Sequence, residues 1–391
     1  MLNKELFKKG FRLGSLFCII ALSLTFLSCG EQEAAGASKA AAALAPAGPA
    51  TPPPDTTPPV VAAPEPERFT IIGVGDMMLG TNYPSASYLP PNGGSAMLAD
   101  VRDILAAADI TFGNLEGTIL DKGGTPKRCN NPSLCYVFRS PESYVKHFAD
   151  AGFDFLSIAN NHSGDFGATG RERTKAVLKE AGIAFAGLAG TDEYAVVERE
   201  GVKYGLCAFA PNSGTCSIHD LAKARQIVGK LEKECDIVIV SFHGGAEGAS
   251  HQNVPRRSET YYGENRGDVH KFAHAVIDAG ADVVFGHGPH VTRAMELYKS
   301  RLICYSLGNF CTYGRFSLNG PAGFAPLVSV TVGRDGAFLE GQVTPVYQEK
   351  THGPKIDSQK RAINTLIELT KADFPETELL IGKDGKLTAK E

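Results

Sequence analysis

Phe69-Thr-Ile-Ile-Gly-Val-Gly-Asp76-Met-Met-Leu-Gly80 is the stretch from which the fold of this 391-residue chain is predicted. A short apolar run that ends in a glycine-flanked acid is typical of a buried strand that carries a carboxylate to the edge of an α/β sheet. Four later stretches run in the same way from apolar residues into His or Asn: residues 156–162, 237–243, 283–290 and 303–309. Because ligands gather beyond the carboxyl ends of parallel strands, we expect these polar residues to form one site.

The segments between these strands predict the rest of the architecture. Apolar residues at helical spacing predict helices over residues 96–108, 141–151, 169–181, 221–235, 269–279 and 356–374. Alternating residues around glycines predict two hairpins, over 195–200 with 203–210 and over 325–332 with 337–344. This mixture predicts one α/β domain with mixed sheets over residues 68–350, followed by an amphipathic helix and tail over 351–391.

The amino terminus has the composition of an export signal. A basic stretch leads into an apolar run over residues 13–27, which is shorter than the ~20 residues that a membrane span needs. Ser28-Cys29-Gly30 resembles a bacterial lipobox, so residues 1–29 are interpreted as a signal peptide whose Cys29 becomes lipidated. Ordinary cleavage and an uncleaved anchor are the alternatives. We therefore expect an exported, membrane-anchored lipoprotein of the cell envelope.

Residues 30–67 are predicted to be a disordered tether. Ala and Pro account for 21 of the 36 residues in the range 31–66. Such a composition buries too little apolar surface to offset the entropy lost on ordering. At ~3.1 Å per residue the tether would reach roughly 100 Å, enough to hold a domain away from a membrane surface.

Charge and cysteine usage exclude some classes of function. The formal net charge of −4 provides no basic footprint for nucleic acid. The cysteines do not show the paired Cys-x-x-Cys spacing of a structural zinc site. Cys129 and Cys135 lie in a polar loop and are the best candidates for a local disulfide in an exported chain.

Seven motifs, in this order, resemble the CapA-type proteins of poly-γ-glutamate capsule synthesis. They are Gly-Asp76-x-Met-Leu-Gly, Asn114-Leu-Glu116-Gly, Phe138-Arg139-Ser-Pro, Ala-Asn-Asn161-His162-Ser-Gly-Asp165-Phe-Gly, His243-Gly-Gly-Ala-Glu247, Gly-His287-Gly-Pro-His290 and Tyr-Ser-Leu-Gly-Asn309-Phe. That family is similar to the calcineurin-like metallophosphoesterases. The resemblance therefore implies a four-layer α/β/β/α sandwich with a metal-type site at the strand ends.

The resemblance also implies roles for individual residues. Their oxygen and imidazole groups suit one or two ions of Mn, Fe, Zn or Mg. The candidate metal ligands are Asp76, Glu116, Asn161, His243, His287 and His290. His162 is the candidate general acid, Asp165 is grouped with it as catalytic, and the candidate substrate-binding residues are Arg139, Glu247 and Asn309. Each motif alone also fits a structural role, such as a turn cap for Asp76, but the set is hard to explain by packing because buried polar groups need partners.

Three departures from the related patterns leave two functions open. Met78 stands where the phosphoesterases carry a histidine, and Gly244 and Gly288 replace a tryptophan and a histidine of the capsule family. The first hypothesis is a metal-dependent hydrolase or transferase acting on a phosphoester or on an anionic polymer such as poly-γ-glutamate. The second is a binding module for that polymer that has lost turnover. Partners would include the membrane, through the lipid, and membrane proteins of capsule synthesis.

Overall fold

Two large β-sheets face each other at the centre of the protein. The computed structural model describes residues 67–129, 135–349 and 352–390, all of which belong to one unit, Ala63–Glu391. The predicted signal peptide, Cys29 and residues 30–66 of the predicted tether lie outside the described residues. Within the described ranges, no helix is both long enough and apolar enough to cross a membrane.

Strands and helices are numbered in chain order. Strands β1 to β10 are Arg68–Met78, Ile110–Leu115, Thr118–Ile119, Arg139–Ser140, Phe155–Ser157, Ala184–Ala186, Tyr194–Arg199, Val202–Phe209, Ile237–His243 and Glu259–Tyr261. Strands β11 to β20 are Glu264–Gly267, Val283–His287, Met295–Tyr298, Arg301–Cys304, Asn309–Thr312, Phe324–Gly333, Phe338–Gln348, Pro354–Ile356, Leu379–Ile381 and Lys386–Ala389. Helices α1 to α6 are Arg102–Leu105, Val145–Asp150, Gly167–Glu180, Leu221–Glu234, Val269–Ile277 and Arg361–Asp373.

The first sheet has ten strands, with the main order β19-β20-β17-β16-β1-β2-β5-β6, while β15 pairs with β1 and β18 with β17. The second sheet has six, in the order β13-β14-β12-β9-β8-β7. Strands β1, β2, β5 and β6 run parallel in the first sheet, and β8, β9, β12 and β14 run parallel in the second. Their carboxyl ends therefore lie along one edge of each sheet.

Alternating side chains build three apolar layers. Between the sheets, Phe112 stacks on Phe285 with ring centroids 5.4 Å apart. The opposite face of the first sheet packs on α1, α2 and α3, and that of the second packs on α4 and α5. This order of layers confirms the predicted α/β/β/α sandwich.

Strand β1 changes partner at Asp76. Residues Arg68 to Gly73 pair with antiparallel β16, whereas Asp76 to Met78 pair with parallel β15. The register of β1 against β2 also shifts between Gly73 and Asp76. Such irregularities re-aim side chains and occur next to functional sites. The predicted strand end is thus a change of neighbour inside a longer strand.

The carboxyl-terminal residues are integrated into this architecture. Ile363 and Leu366 of α6 lie in the apolar layer between the sheets. Strands β18, β19 and β20 extend the first sheet. The predicted amphipathic helix therefore buries its apolar face in the same core as the rest of the described chain.

Most predicted elements form, with informative differences. The two predicted hairpins are β7–β8 and β16–β17, and the predicted disulfide joins Cys129 to Cys135. The helix predicted over residues 96–108 is reduced to a 3₁₀ turn and the four-residue α1. The backbone carbonyl of Met97 instead accepts a hydrogen bond from Cys311 Sγ, at 3.2 Å. The predictions missed the antiparallel pairs β10–β11, β13–β14 and β19–β20.

Candidate metal centre at the strand ends

Three buried ligand groups meet where β1, β2 and β9 come together. Asp76 lies in β1, Glu116 follows β2, and His243 ends β9. Each side chain offers one ligand atom, and these three atoms lie within 4.8 Å of one another. All three residues are at most 1% exposed. Residues far apart in the sequence thus converge as the strand-end pattern predicts.

Asn114 holds the two carboxylates in place. Its amide nitrogen donates to Asp76 Oδ1 at 2.8 Å and to Glu116 Oε2 at 2.7 Å. Its oxygen accepts from the amide of Asn160 at 3.1 Å, so the orientation of Asn114 is fixed from the other side. Asn114 and Asn160 lie within the predicted motifs, but neither had a predicted role. The two-residue spacing of Asn114 and Glu116, which puts both on one face of a strand, was the available signal.

Several buried polar atoms of this cluster have no hydrogen-bond partner among the described residues. Within the ligand group they are Glu116 Oε1 and both ring nitrogens of His243. On flanking segments the same holds for the Oδ1 atoms of Asn161, which precedes His162, and of Asn309, the backbone partner of Asp76. Leaving such an atom unpaired costs about 1–3 kcal/mol, so most buried polar atoms in proteins are paired. A carboxylate, an imidazole and an amide oxygen together suit Mn, Fe or Zn, and the oxygens also suit Mg. The residues present therefore fit a divalent metal ion.

The local charges are unusual for so buried a place. Burial, and then the negative charge of Asp76, raise the pKa of Glu116 to about 8. Burial also raises the pKa of Asp76, but the hydrogen bond and charge of His290 outweigh that effect and bring it to about 2. Burial holds the pKa of His243 well below its usual value, so this imidazole is neutral and can act as a ligand.

His287 and His290 point to different partners. The structure places His290 Nδ1 2.8 Å from Asp76 Oδ2, with the His290 backbone in the left-handed region at φ 58°. His287 Nε2 instead lies 3.1 Å from the carbonyl oxygen of Val74, and its Nδ1 lies 3.4 Å from Ser241 Oγ. Both nitrogens of His287 are therefore occupied by protein groups. The structure brings His290 to Asp76 and does not bring His287 into the ligand group.

A histidine–aspartate pair borders the ligand group. His162 Nδ1 lies 2.8 Å from Asp165 Oδ2, and its Nε2 lies 3.8 Å from Glu116 Oε1. Lys127, which sequence reasoning missed, pairs with Asp165 Oδ1 at 2.5 Å and lies 3.3 Å from His162 Nδ1. Burial lowers the pKa of His162, Asp165 raises it, and Lys127 lowers it. Lys127 belongs to a polar loop without a motif, so only the fold places it here.

The remaining predicted residues lie around this centre. Asn309 is the backbone partner of Asp76 in the β1–β15 pair, and its amide donates to the carbonyl of Ala322. Arg139 donates to Asn82 Oδ1 at 2.6 Å and lies over the ring of Phe166. Glu247 pairs with Arg266 at 2.9 Å. The structure thus engages Arg139 and Glu247 with protein partners outside the ligand group.

Two phenylalanines form an aromatic wall beside the site. Phe138 packs on the ring of His162 with centroids 4.2 Å apart, and Phe316 stacks on Phe138 at 5.1 Å. Phe316 also contacts His290 edge-on at 5.3 Å. Gly244 stands where the related capsule pattern has a tryptophan, whereas here Phe138 and Phe316, from two other segments, supply an aromatic wall.

Gly288 packs against the backbone of Gly244, and Gly244 packs against that of Arg266. A Cβ added to Gly288 would lie 2.9 Å from the backbone nitrogen of Gly244, and Gly288 has φ 109°. A Cβ on Gly244 would lie 2.9 Å from the carbonyl oxygen of Arg266. Neither position has room for the larger residues of the related patterns.

The order and spacing of these residues match a known family. The model for the bacterial capsule synthesis protein PGA_cap matches residues 70–313, more than half of the chain. The chain belongs to the PGA_cap family. The predicted resemblance to CapA proteins is thereby confirmed.

Curated relatives of this PGA_cap chain carry capsule-related names. It is 31% identical over 267 residues to the capsule biosynthesis protein CapA of Bacillus anthracis, covering 63% of this chain and 60% of the relative. It is 28% identical over 333 residues to the PGA biosynthesis protein CapA of Bacillus subtilis, covering 81% and 80% of the two chains. The match thus spans less than two thirds of the B. anthracis protein.

Solved structures give matches of lower identity. A putative 5′-nucleotidase from Staphylococcus aureus matches with a TM-score of 0.44 and 15% identity, covering 78% of this chain and 58% of that chain. A phosphatase from Mycoplasma pneumoniae matches with a TM-score of 0.42 and 14% identity, covering 75% of this chain and 96% of that chain. All candidate metal-ligating, catalytic and substrate-binding residues fall within the range that matches the PGA_cap family.

Proposed function

We propose that this PGA_cap protein uses the strand-end centre to bind one divalent metal ion and to cleave or transfer a phosphoester-type bond. One observation carries the proposal: Glu116 and His243 have buried ligand atoms without a hydrogen-bond partner within the described ranges, and these atoms lie beside the His162–Asp165 pair. A purely structural cluster would satisfy those atoms internally. The unpaired atoms therefore support a site that is completed by a ligand.

Three residues of the ligand group would bind the metal ion. Asp76, Glu116 and His243 would hold the ion, with Asn161 Oδ1 as a further oxygen ligand. The ion, when bound, supplies Lewis-acid activation of water and neutralises charge on a phosphate. We propose one ion and not two, because Met78 offers a thioether and both nitrogens of His287 are engaged.

His162 would transfer a proton to the leaving group. Asp165 accepts from Nδ1, which fixes the ring so that Nε2 faces the cluster near Glu116. In its charged form, the imidazole would donate the Nε2 proton to a leaving oxygen as a general acid. Burial lowers the pKa of this ring, so the negative charge of a bound substrate would be needed to favour the protonated form. Phe138 and Phe316 would shield this step from water.

The biological setting is proposed from the relatives and from the amino terminus. Relatives are named for capsule and PGA biosynthesis, so we propose that this protein acts in the synthesis, transport or anchoring of an anionic capsule polymer such as poly-γ-glutamate. Its partners would be that polymer and membrane proteins of capsule synthesis. Export and lipidation at Cys29 would hold it at the cell membrane. Cys29→Ser should release it from the membrane fraction, and retention there would contradict the lipid anchor.

The enzymatic proposal is tested on the purified full chain. The assays are release of phosphate from esters, chain length of poly-γ-glutamate and bound metal, each with and without added Mn or Zn. We expect metal-dependent turnover in the wild type and a loss of about 10²–10⁴-fold in His162→Asn, with the metal retained. His219→Asn, which changes an exposed histidine, is the matched control and should keep full activity. Absence of both bound metal and turnover in the wild type would refute the proposal.

A polymer-binding module without turnover is the second candidate. It is favoured by Met78 in place of a ligand and by the engagement of His287 with the carbonyl of Val74. In that case the wild type and His162→Asn should bind poly-γ-glutamate equally well and cleave nothing. Equal binding together with wild-type cleavage would reject this second candidate.

A further inference from the structure

A second cluster of metal-ligating side chains lies on a different part of the protein. His270 and His274 stand four residues apart on α5, and Glu296 lies on β13. Each offers one ligand atom, and the three atoms lie within 4.8 Å of one another. Residues at i and i+4 share one face of a helix, so both imidazoles face the same carboxylate. None of these residues belongs to the strand-end centre.

We propose that His270, His274 and Glu296 form a second metal site, of the two-histidine, one-carboxylate type that binds zinc. His274 Nε2 lies 3.1 Å and 3.0 Å from the two carboxylate oxygens of Glu296. Two ligands at ~2.1 Å from a tetrahedral zinc ion lie about 3.4 Å apart, so only a small movement would admit the ion in place of the shared proton. The proposal does not rest on the proposed function.

The neighbours of these ligands already hold them in orientation. Tyr305 Oη donates to Glu296 Oε2 at 2.7 Å, the kind of outer hydrogen bond that fixes a carboxylate ligand. Tyr298 stacks on the ring of His274 at 3.7 Å and 18°. Phe374 stacks on His270 at 5.9 Å and 14°. Because the rings and the carboxylate are fixed before binding, less order must be imposed when an ion arrives.

The exposure of the His270–His274–Glu296 cluster and the charges around it are compatible with the binding of a zinc ion. The side chains of His274 and Glu296 are 23% and 8% exposed, so the site is reached from the surface while the carboxylate is largely desolvated. Arg256, a cation near His270, packs over Phe374 and pairs with Glu376, which offsets its charge. Water would complete the coordination. The ion would join α5 to β13, which makes this a stabilising site with an open position.

The test is zinc binding by the full chain after removal of metal with a chelator. In a His243→Ala background, which disables the strand-end centre, we expect one zinc equivalent, and none after a further His274→Ala. Glu296→Gln, which preserves shape and the Tyr305 hydrogen bond, should also remove zinc, and Tyr305→Phe should weaken it by about 10–100-fold. His219→Ala, at an exposed histidine, is the matched control and should leave the stoichiometry unchanged.

Two further readouts separate the outcomes. Zinc should raise the Tm of His243→Ala but not that of the double variant, and circular dichroism should show that both are folded without metal. Turnover at the strand-end centre should be the same in His274→Ala as in the wild type, so failure of the proposed enzyme leaves this test intact. Equal zinc stoichiometry in His243→Ala and in the variants that also change His274 or Glu296 would reduce the cluster to a hydrogen-bond network and overturn the proposal.

Discussion

The carboxylates at the two ends of the parallel strands differ in their hydrogen bonding. At the amino ends, the side chains of Asp109, Asp154, Asp236 and Asp282 each accept a backbone N–H from the neighbouring strand, at 2.7–2.8 Å. The backbone nitrogen of each Asp returns a hydrogen bond to the carbonyl of that same neighbour. At the carboxyl ends, Glu116 and His243 have ligand atoms that make no hydrogen bond to any residue the structure describes.

This difference separates structural acids from candidate functional ones. Three of the amino-end acids are also paired with arginines, Asp154 with Arg199, Asp236 with Arg334 and Asp282 with Arg301. The four amino-end acids complete the first hydrogen bonds of each parallel strand pair, so protein groups already engage their carboxylates. In the carboxyl-end cluster, some polar atoms lack such hydrogen bonds among the described residues. A local loss of stability of this kind is characteristic of functional sites.

The largest effect should come from Glu116→Gln. We expect loss of bound metal and a fall in turnover of about 10³-fold, because the ion supplies several kcal/mol of charge stabilisation. Asp282→Asn, at the opposite end, is the matched control and should keep turnover. Phosphate release and metal content measure both variants. Equal losses in the two variants would remove the distinction between the ends.

The same Glu116→Gln variant should be the more stable protein in chelator at high pH. Since the folded pKa of Glu116 is raised from 4.5 to about 8, its contribution to stability is full below 4.5 and is lost as pH rises through about 8. Glutamine cannot ionise, so the variant escapes this loss. Urea unfolding at pH 9 should give a higher free energy of unfolding for the variant than for the wild type. A lower value would contradict the destabilisation assigned to ionised Glu116.

Asp154→Ala should lower the free energy of unfolding by about 2–3 kcal/mol, since it leaves a buried backbone N–H of Thr111 without its partner. Turnover per folded molecule should not change. Glu198→Ala, at an exposed position on the adjacent β7, should stay within about 0.5 kcal/mol of the wild type. A fall in turnover per folded molecule would instead group Asp154 with the carboxyl-end residues.

Stability should also depend on pH through Asp282. Burial raises the pKa of this carboxyl from 3.8 to about 6, although Val238 and Arg301 oppose the shift. Its stabilising contribution is therefore full below pH 3.8 and is lost as pH rises through about 6, a change on the order of 3 kcal/mol. Asp282→Asn should flatten the dependence of unfolding free energy on pH in that window. An unchanged slope would show that Arg301 compensates the charge.

The smallest effect should be that of Lys127→Met. The charge of Lys127 lowers the pKa of His162, so its removal should raise that pKa and move the basic limb of the pH–rate profile to higher pH. Metal content should not change. The shift is measured from phosphate release between pH 5 and 9, and a shift toward lower pH would show that Lys127 acts on Asp165 alone.

Sequence pattern identified much of the site because strand periodicity and strand ends are local properties. Apolar runs that end in polar residues placed Asp76 and His243 at the correct edge, and the family resemblance added Glu116. The two-residue spacing of Asn114 and Glu116 was a further local signal, since it puts both on one face of a strand. His162 and Asp165 lie three residues apart in one turn, so their contact also follows from the local chain. The alternation of βα units and hairpins predicted one α/β domain with mixed sheets, whereas the four-layer order of the sandwich was implied by the family resemblance.

Only the tertiary structure decided which partner each side chain takes. His287 and His290 are three residues apart, yet one contacts the carbonyl of Val74 and the other the carboxylate of Asp76, more than 200 residues away. Lys127 and Phe316 reach the site from loops whose composition predicts no contact. Sequence periodicity determines the face on which a residue lies, because that depends on backbone repeat. The atom that a side chain meets depends on packing between distant segments, and only the folded chain brings those segments together.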